Sequence, residues 1–180
     1  NWEQAERRPV LPAPDTVPSP DLDPGDIPSV EDLGLQRFLT DPLPAGEAAA
    51  RARMDEWLSD GVHRYKELHD DLASHTSLLS PHLHIGTLSA RELEARVSEL
   101  PGKNPEAFRR QVAWRDFYAH VLLHWPANTK TPLQQRFHDL EWVEDAEGWQ
   151  AWCDGTTGYP LVDAGMRELA ATGFMHNRTR

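Results

Sequence analysis

The sequence predicts an all-α fold, and three observations carry that prediction. Apolar residues recur at helical spacing in several segments, capping and stop residues bracket those segments, and no stretch alternates apolar and polar residues as a half-buried strand does. With 39% apolar content, 180 residues are enough for one helical core of ordinary size. A mean hydropathy of -0.63 and the lack of a long apolar run argue against a membrane span.

The elements follow in order. Residues 1–28 carry Pro9, Pro12, Pro14, Pro18, Pro20, Pro24 and Pro28 with interspersed Asp, which favours an extended, semi-rigid linker over packed structure. A short helical element is expected from Ser29 to about Leu39. Glu47 to Ser59 sets Met54, Trp57 and Leu58 at helical spacing before Gly61. Ser89 with Glu92 three residues later is a capping-box pattern, opening a helix through Leu93 and Val97 that Pro101 and Gly102 end. Asn104-Pro105 starts a longer helix to about Trp125, with Phe108, Val112, Phe117, Val121 and Leu122 as its apolar face. Pro160 opens a last helix whose stripe, Leu161, Val162, Met166 and Leu169, is expected to be buried, with Gly173 as its stop.

Charge is placed unevenly. The net charge of -11 counts against a nucleic-acid partner, since neutralising phosphates needs a basic surface. Residues 1–75, however, hold seven Lys or Arg against sixteen Asp or Glu, while residues 76–180 hold eleven against thirteen. The second half can therefore still present a local cationic face. A single cysteine, Cys153, cannot form an internal disulfide, and no secretory segment opens the chain, so a reducing cytoplasm is expected. The pairs His82/His84 and His120/His124 lack converging third and fourth ligands, and no metal is expected.

The densest chemistry lies between Thr157 and Arg180. Past Gly173, the residues Met175, His176, Asn177, Arg178 and Arg180 set a thioether, an imidazole, a carboxamide and two guanidiniums within six positions, a cluster suited to an anionic, planar ligand. Taken singly, such residues are ordinary near a helix C-terminus. The whole segment, with its Thr-Gly, Pro, Asp-Ala-x-Met-Arg-x-Leu and Met-His-Asn-Arg in order, resembles the signature of the DNA photolyase and cryptochrome family. Two further blocks agree: Thr76-Ser77-Leu78-Leu79-Ser80-Pro81-His82-Leu83-His84-Ile85-Gly86, preceded by Tyr65, and Trp114-Arg115-Asp116-Phe117-Tyr118. The similarity runs from about Gly46 to the last residue.

This resemblance implies a helical FAD-binding domain of photolyase and cryptochrome type, with residues 1–28 as interdomain linker and 29–180 as the first part of the catalytic domain. It also implies truncation, with the α/β antenna domain, its folate or deazaflavin chromophore and the C-terminal helices lying outside the chain. Half a cofactor pocket is expected to bind FAD weakly or not at all, leaving this segment inactive alone. The resemblance assigns Tyr65, Thr76, Ser77, Leu78, Leu79, Ser80, Phe108, Gln111, Arg115, Tyr118, His176 and Arg180 to the cofactor. To damaged DNA it assigns Trp114, Asn177 and Arg178. Trp114 supplies a flat wall for an extruded pyrimidine dimer, where stacking is worth roughly 1–3 kcal/mol per base. Flipping costs least at an already damaged step.

The implied chemistry is electron transfer from light-excited reduced FAD to the dimer, whose ring splits before the electron returns. Catalytic roles fall to Trp114, Gln111 and Asn177, with Trp142 as the solvent-side member of a tryptophan chain. Gln111 departs from the glutamate common in cyclobutane-dimer photolyases; an amide donates and accepts hydrogen bonds but is no acid. Glutamine also occurs in (6-4) photolyases, but those pair it with a second histidine where this chain has Asn177, so cyclobutane dimers are the expected substrate. A cryptochrome-type photoreceptor that keeps FAD without repair, and a flavin-free interaction module, are the alternatives. A monomer with no membrane partner is expected.

Overall fold

Seven α-helices account for the regular structure in the computed structural model, which describes residues 2–18, 20–23, 25–35, 39–74 and 76–180. They are α1 (Glu47–Ser59), α2 (Tyr65–Leu68), α3 (Ser80–Ile85), α4 (Ala90–Ser98), α5 (Lys103–His124), α6 (Ala146–Asp154) and α7 (Pro160–Thr172). No strand occurs among the described residues, so the all-α expectation holds.

Local signals set most boundaries. Ser89 caps α4 by accepting from the Glu92 backbone N–H, as the capping-box pattern predicts. Pro160 sits in the first turn of α7, and Gly173 ends that helix in the left-handed conformation at φ 75°. α5 starts one residue before the expected Asn104. The Asn104 amide is spent on the tertiary fold instead, accepting from the Lys66 backbone N–H at 2.9 Å and donating to the His63 carbonyl.

α1, α2, α4 and α5 close around a core built on Met54, Trp57, Val62, Leu79, Leu93 and Phe108. The second group, α6 against α7, is shallow. The stripe on α7 expected to be buried is only partly covered, because Leu161 remains 50% and Leu169 37% exposed; the buried residues are Asp163, Gly165 and Met166. α6 was not foreseen, although Asp145 accepts from the Gly148 N–H at its start and Gly155 ends it at φ 62°.

The segment from Ser29 to Leu39 also differs from expectation. Turns span Val30 to Gly34, held by Ser29 and Asp32 bonding each other, and no helix forms among the described residues there; positions 36–38 lie outside them. In the proline-rich stretch the described residues from 5 to 28 form no helix or strand, but the first residues are docked. A 3-10 turn at Trp2–Gln4 places the Trp2 indole between the guanidiniums of Arg7, 4.1 Å from the ring centre, and Arg109, 5.3 Å away. The indole N–H donates to the Asp116 carboxylate at 3.1 Å. Buried Glu94 on α4 ties the group together, bonding Arg109 at 2.7 Å with Arg7 3.4 Å away.

Candidate functional site

The Thr76–Ser80 loop is fastened from below. Arg53 on α1 donates from Nε to the Ser77 carbonyl at 2.8 Å and from Nη2 to the Thr76 carbonyl at 2.9 Å. Leu78 takes φ 54°, an unusual conformation for a branched side chain. Leu79, expected at the cofactor, is 1% exposed; its N–H donates to Ser77 Oγ at 3.4 Å and its carbonyl accepts from the Leu83 N–H at 3.0 Å, so it serves the core and the start of α3 instead of a ligand.

Phe108 departs from its expected role in the same way. Its ring is 7% exposed and packs 5.4 Å from the rings of both Trp57 and Tyr65, so it serves the helical core instead of a ligand wall. Tyr65 is half-buried, and burial pushes its phenol above the ordinary tyrosine range; the nearby Asp70 carboxylate adds to this and the Arg178 guanidinium opposes it. The phenol thus faces an ion pair between Arg178 and Asp70, in which Arg178 Nε donates at 2.7 Å. That pair brings the chain's last block beside the region that precedes the loop.

On α5, Gln111, Trp114, Arg115 and Tyr118 share one side of the helix, consistent with positions three, four and seven apart. All four are exposed. Trp114 stands 50% open, with Phe117 5.2 Å and Tyr118 5.8 Å away in ring contact. Arg115 reaches the Leu83 carbonyl of α3 at 3.5 Å, which joins this row to the loop helix.

The tail after α7 is a built turn. His176, expected at the cofactor, is 5% exposed and is the hub of that turn. Its Nδ1 accepts from the Arg178 N–H at 3.1 Å, its carbonyl accepts from Thr179 Oγ at 2.7 Å, and its N–H donates to Glu168 at 3.2 Å. With Nδ1 an acceptor, the neutral ring carries its proton on Nε2, which is buried with no partner in this structure. Thr179 in turn lies over Gly165, where an added Cβ would come within 2.7 Å of it. Asn177 and Arg180 are left exposed at the surface.

Two hollows take in a few of these residues. A cleft of about 600 Å³ lies between α3 and the α6/α7 pair, with Ser80 and His84 on one side and Trp152, Met166, Met175 and Arg180 on the other. A larger groove of about 1440 Å³ runs along α5, lined by Trp114, Arg115 and Phe117 and bounded by Trp2 and Arg7. Ser77, Trp114 and Asn177, expected around one hollow, are not brought to a common one. Trp142 stands apart, 79% exposed between α5 and α6. The cleft's donors, a hydroxyl and a guanidinium against apolar walls, fit a phosphate-bearing aromatic group such as FAD.

Sequence reasoning missed Arg53, Trp2 and Trp152. Only Trp152 left a local signal, its spacing of three from Trp149 within a capped segment; their rings lie 5.0 Å apart. Asp163 was also missed. It accepts from the Thr157 N–H and hydroxyl at 2.8 and 2.6 Å and from the Gly158 N–H at 3.0 Å. These bonds, those to Thr157 foremost, hold its carboxyl below the ordinary aspartate range.

Comparison with known proteins bears on the family and the fold. Residues 108–180 match the family model for the FAD binding domain of DNA photolyase. Over 99% of its length the chain is 47% identical to a deoxyribodipyrimidine photo-lyase of Streptomyces griseus, covering 39% of that protein. It is 36% identical to a cryptochrome DASH of Gloeobacter violaceus over 99% of the chain, again 39% of that protein. Among solved structures, a class III photolyase from Agrobacterium tumefaciens aligns with TM-score 0.71 at 36% identity, covering 75% of this chain and 29% of that one. A cryptochrome from Synechocystis aligns with TM-score 0.78 at 31% identity, covering 91% and 37%. The fold is all-helical and resembles the FAD-binding domain of photolyases and cryptochromes. The chain belongs to the DNA photolyase and cryptochrome family, and it spans about two fifths of the length of the curated relatives it matches.

Proposed function

We propose that the protein carrying this chain binds FAD and repairs DNA in light by splitting cyclobutane pyrimidine dimers. The observation that supports the reading is the cleft itself, where Ser80 and Arg180, a hundred residues apart in sequence, face each other between apolar walls. A phosphate would be held by Ser80 and Arg180, which line the cleft, and by the hydroxyls and N–H groups of Thr76, Ser77 and Leu78 just before Ser80. Bound FAD would supply light-driven electron transfer. The chain's own residues bind and orient: Trp114 offers a flat wall to an extruded dimer, Gln111 and Asn177 offer amide hydrogen bonds to it, and Arg178 faces its phosphate. Residues 1–28 act as a connector and 29–180 as the first part of the FAD-binding domain.

The test uses the gene product at its full natural length, reduced and illuminated with dimer-containing DNA. Loss of dimers in light but not in darkness supports repair, and Trp114→Ala and Asn177→Ala should each reduce it strongly. Flavin photoreduction without dimer loss would favour the alternative, a cryptochrome-type photoreceptor that keeps FAD without repair. No flavin binding at all would overturn both.

A further inference from the structure

We infer that Arg53 is a positioning residue for phosphate capture: by pinning two carbonyls of the Thr76–Ser80 loop against α1, it turns the loop's N–H groups toward the ligand. The inference rests on the FAD reading of that loop.

The physical problem is one of sign. A loop that holds phosphate must present hydrogen-bond donors, and each peptide unit also carries a carbonyl oxygen that repels an anion. In a planar trans peptide the C=O and N–H point in opposite directions. The Thr76 carbonyl shares its plane with the Ser77 N–H, and the Ser77 carbonyl shares its plane with the Leu78 N–H. Arg53 bonds both carbonyls, at 2.9 and 2.8 Å, from two nitrogens of one rigid fork. The Ser77 and Leu78 N–H groups must therefore point away from α1. Leu78 accepts φ 54° in the same bend, and Leu79 drops into the core beneath it, so both the guanidinium and the buried leucine anchor the loop on its inner side.

Arg53 does not act as a free cation. Its side chain is 22% exposed, and its third arm bonds Glu56 at 2.9 Å, which offsets its charge. The role belongs to geometry, and this separates it from Arg180, which lines the cleft directly. Lysine keeps the charge but has no planar fork to span two carbonyls, so Arg to Lys is not conservative here.

The experiment compares FAD with riboflavin, which has the same ring and no phosphate, on the full natural-length gene product. For wild type, Arg53→Lys and Arg53→Met, affinities for both ligands and amide exchange at Ser77 and Leu78 without ligand are measured. The expected result is that both variants lower the FAD-to-riboflavin affinity ratio about tenfold, the scale of losing charge-assisted hydrogen bonds. Amides 77 and 78 should exchange faster while α1 stays protected. Should Arg53→Met fail to fold, Arg53→Lys alone carries the comparison. An unchanged ratio in a folded variant overturns the inference, and so does a loss in Arg53→Met that Arg53→Lys fully restores, which would mean charge and not direction. Wild type without FAD binding would instead overturn the reading beneath it.

Discussion

The two helical groups are held by different forces. Around α1, α2, α4 and α5 the core is apolar and closed, with Ala50, Met54, Val62 and Leu93 all at 0% exposure. Between α6 and α7 almost nothing apolar is buried, and order comes from polar fittings: Asp163 on the Thr157–Gly158 turn, Arg167 on the Gly155 carbonyl at 2.7 Å, Thr179 against Gly165. Apolar burial is non-directional and sums over a whole unit, whereas a hydrogen bond fixes one geometry and fails locally. The first group should thus unfold as one body and the second loosen piece by piece. The candidate cleft lies between α3 and this second group.

The sharpest way to break this contrast is in the core. Met54→Ala should cost about 2–5 kcal/mol, since truncating a fully buried Met, Leu or Ile removes its transfer energy and leaves a cavity. Denaturant unfolding followed by far-ultraviolet circular dichroism measures it, and the loss should reach α1, α4 and α5 together. A change confined to α1 would show that the group is not cooperative.

In the second group the corresponding change is Asp163→Asn, and its effect should stay local. Amides from Gly155 to Thr172 should exchange faster while those of α4 and α5 do not change. The pH dependence has a definite sign. The hydrogen bonds from Thr157 hold the folded carboxyl below the unfolded value of about 3.9, so its contribution is complete above that value and lost as pH falls through the lowered one. Acid should therefore loosen the 155–172 region in wild type more steeply than in Asp163→Asn; identical profiles would contradict this.

The same contrast explains what was legible in the sequence. α4 was readable because its cap and its stop are local, and α7's ends were fixed by Pro160 and Gly173 for the same reason. Burial along α7 was misjudged, because an apolar stripe states only what could be covered, not what lies opposite. Phe108 sits on the apolar face that the periodicity of α5 predicts, and its burial follows that pattern against the cofactor role its motif position implies. For His176 no pattern is available: its burial depends on Glu168 and Thr179, contacts that no local signal encodes. Arg53 was invisible for a stronger reason, as its partners lie 23 and 24 residues away and are backbone carbonyls, which carry no side-chain signature.

Smaller effects sharpen the picture. Ser89→Ala should cost about 1 kcal/mol, the usual value of an N-cap hydroxyl, and Ser89→Thr should recover most of it. Thermal unfolding of the two variants side by side provides the check.

The smallest expected effect concerns the docked N-terminus. Composition marks residues 1–28 as linker, but Trp2 is gripped by two guanidiniums and an acceptor on α5. Trp2→Ala removes both cation–π contacts, each about 0.5–1 kcal/mol at a partly open site, so global stability should barely move. The local consequence is larger in kind. Arg7 would keep Glu94, 3.4 Å away, and its bond to the Ala5 carbonyl at 2.7 Å, and Asp116 would lose its indole donor. Brief trypsin treatment followed by mass spectrometry should then show earlier cleavage after Arg7, the one tryptic site there because Pro9 follows Arg8, while Trp2→Phe, which keeps the stack and loses only the N–H donor, should fall between. If all three cleave at one rate, the indole adds nothing to the docking, and the groove along α5 keeps its Arg7 wall without it, through the Glu94 ion pair and the Ala5 carbonyl.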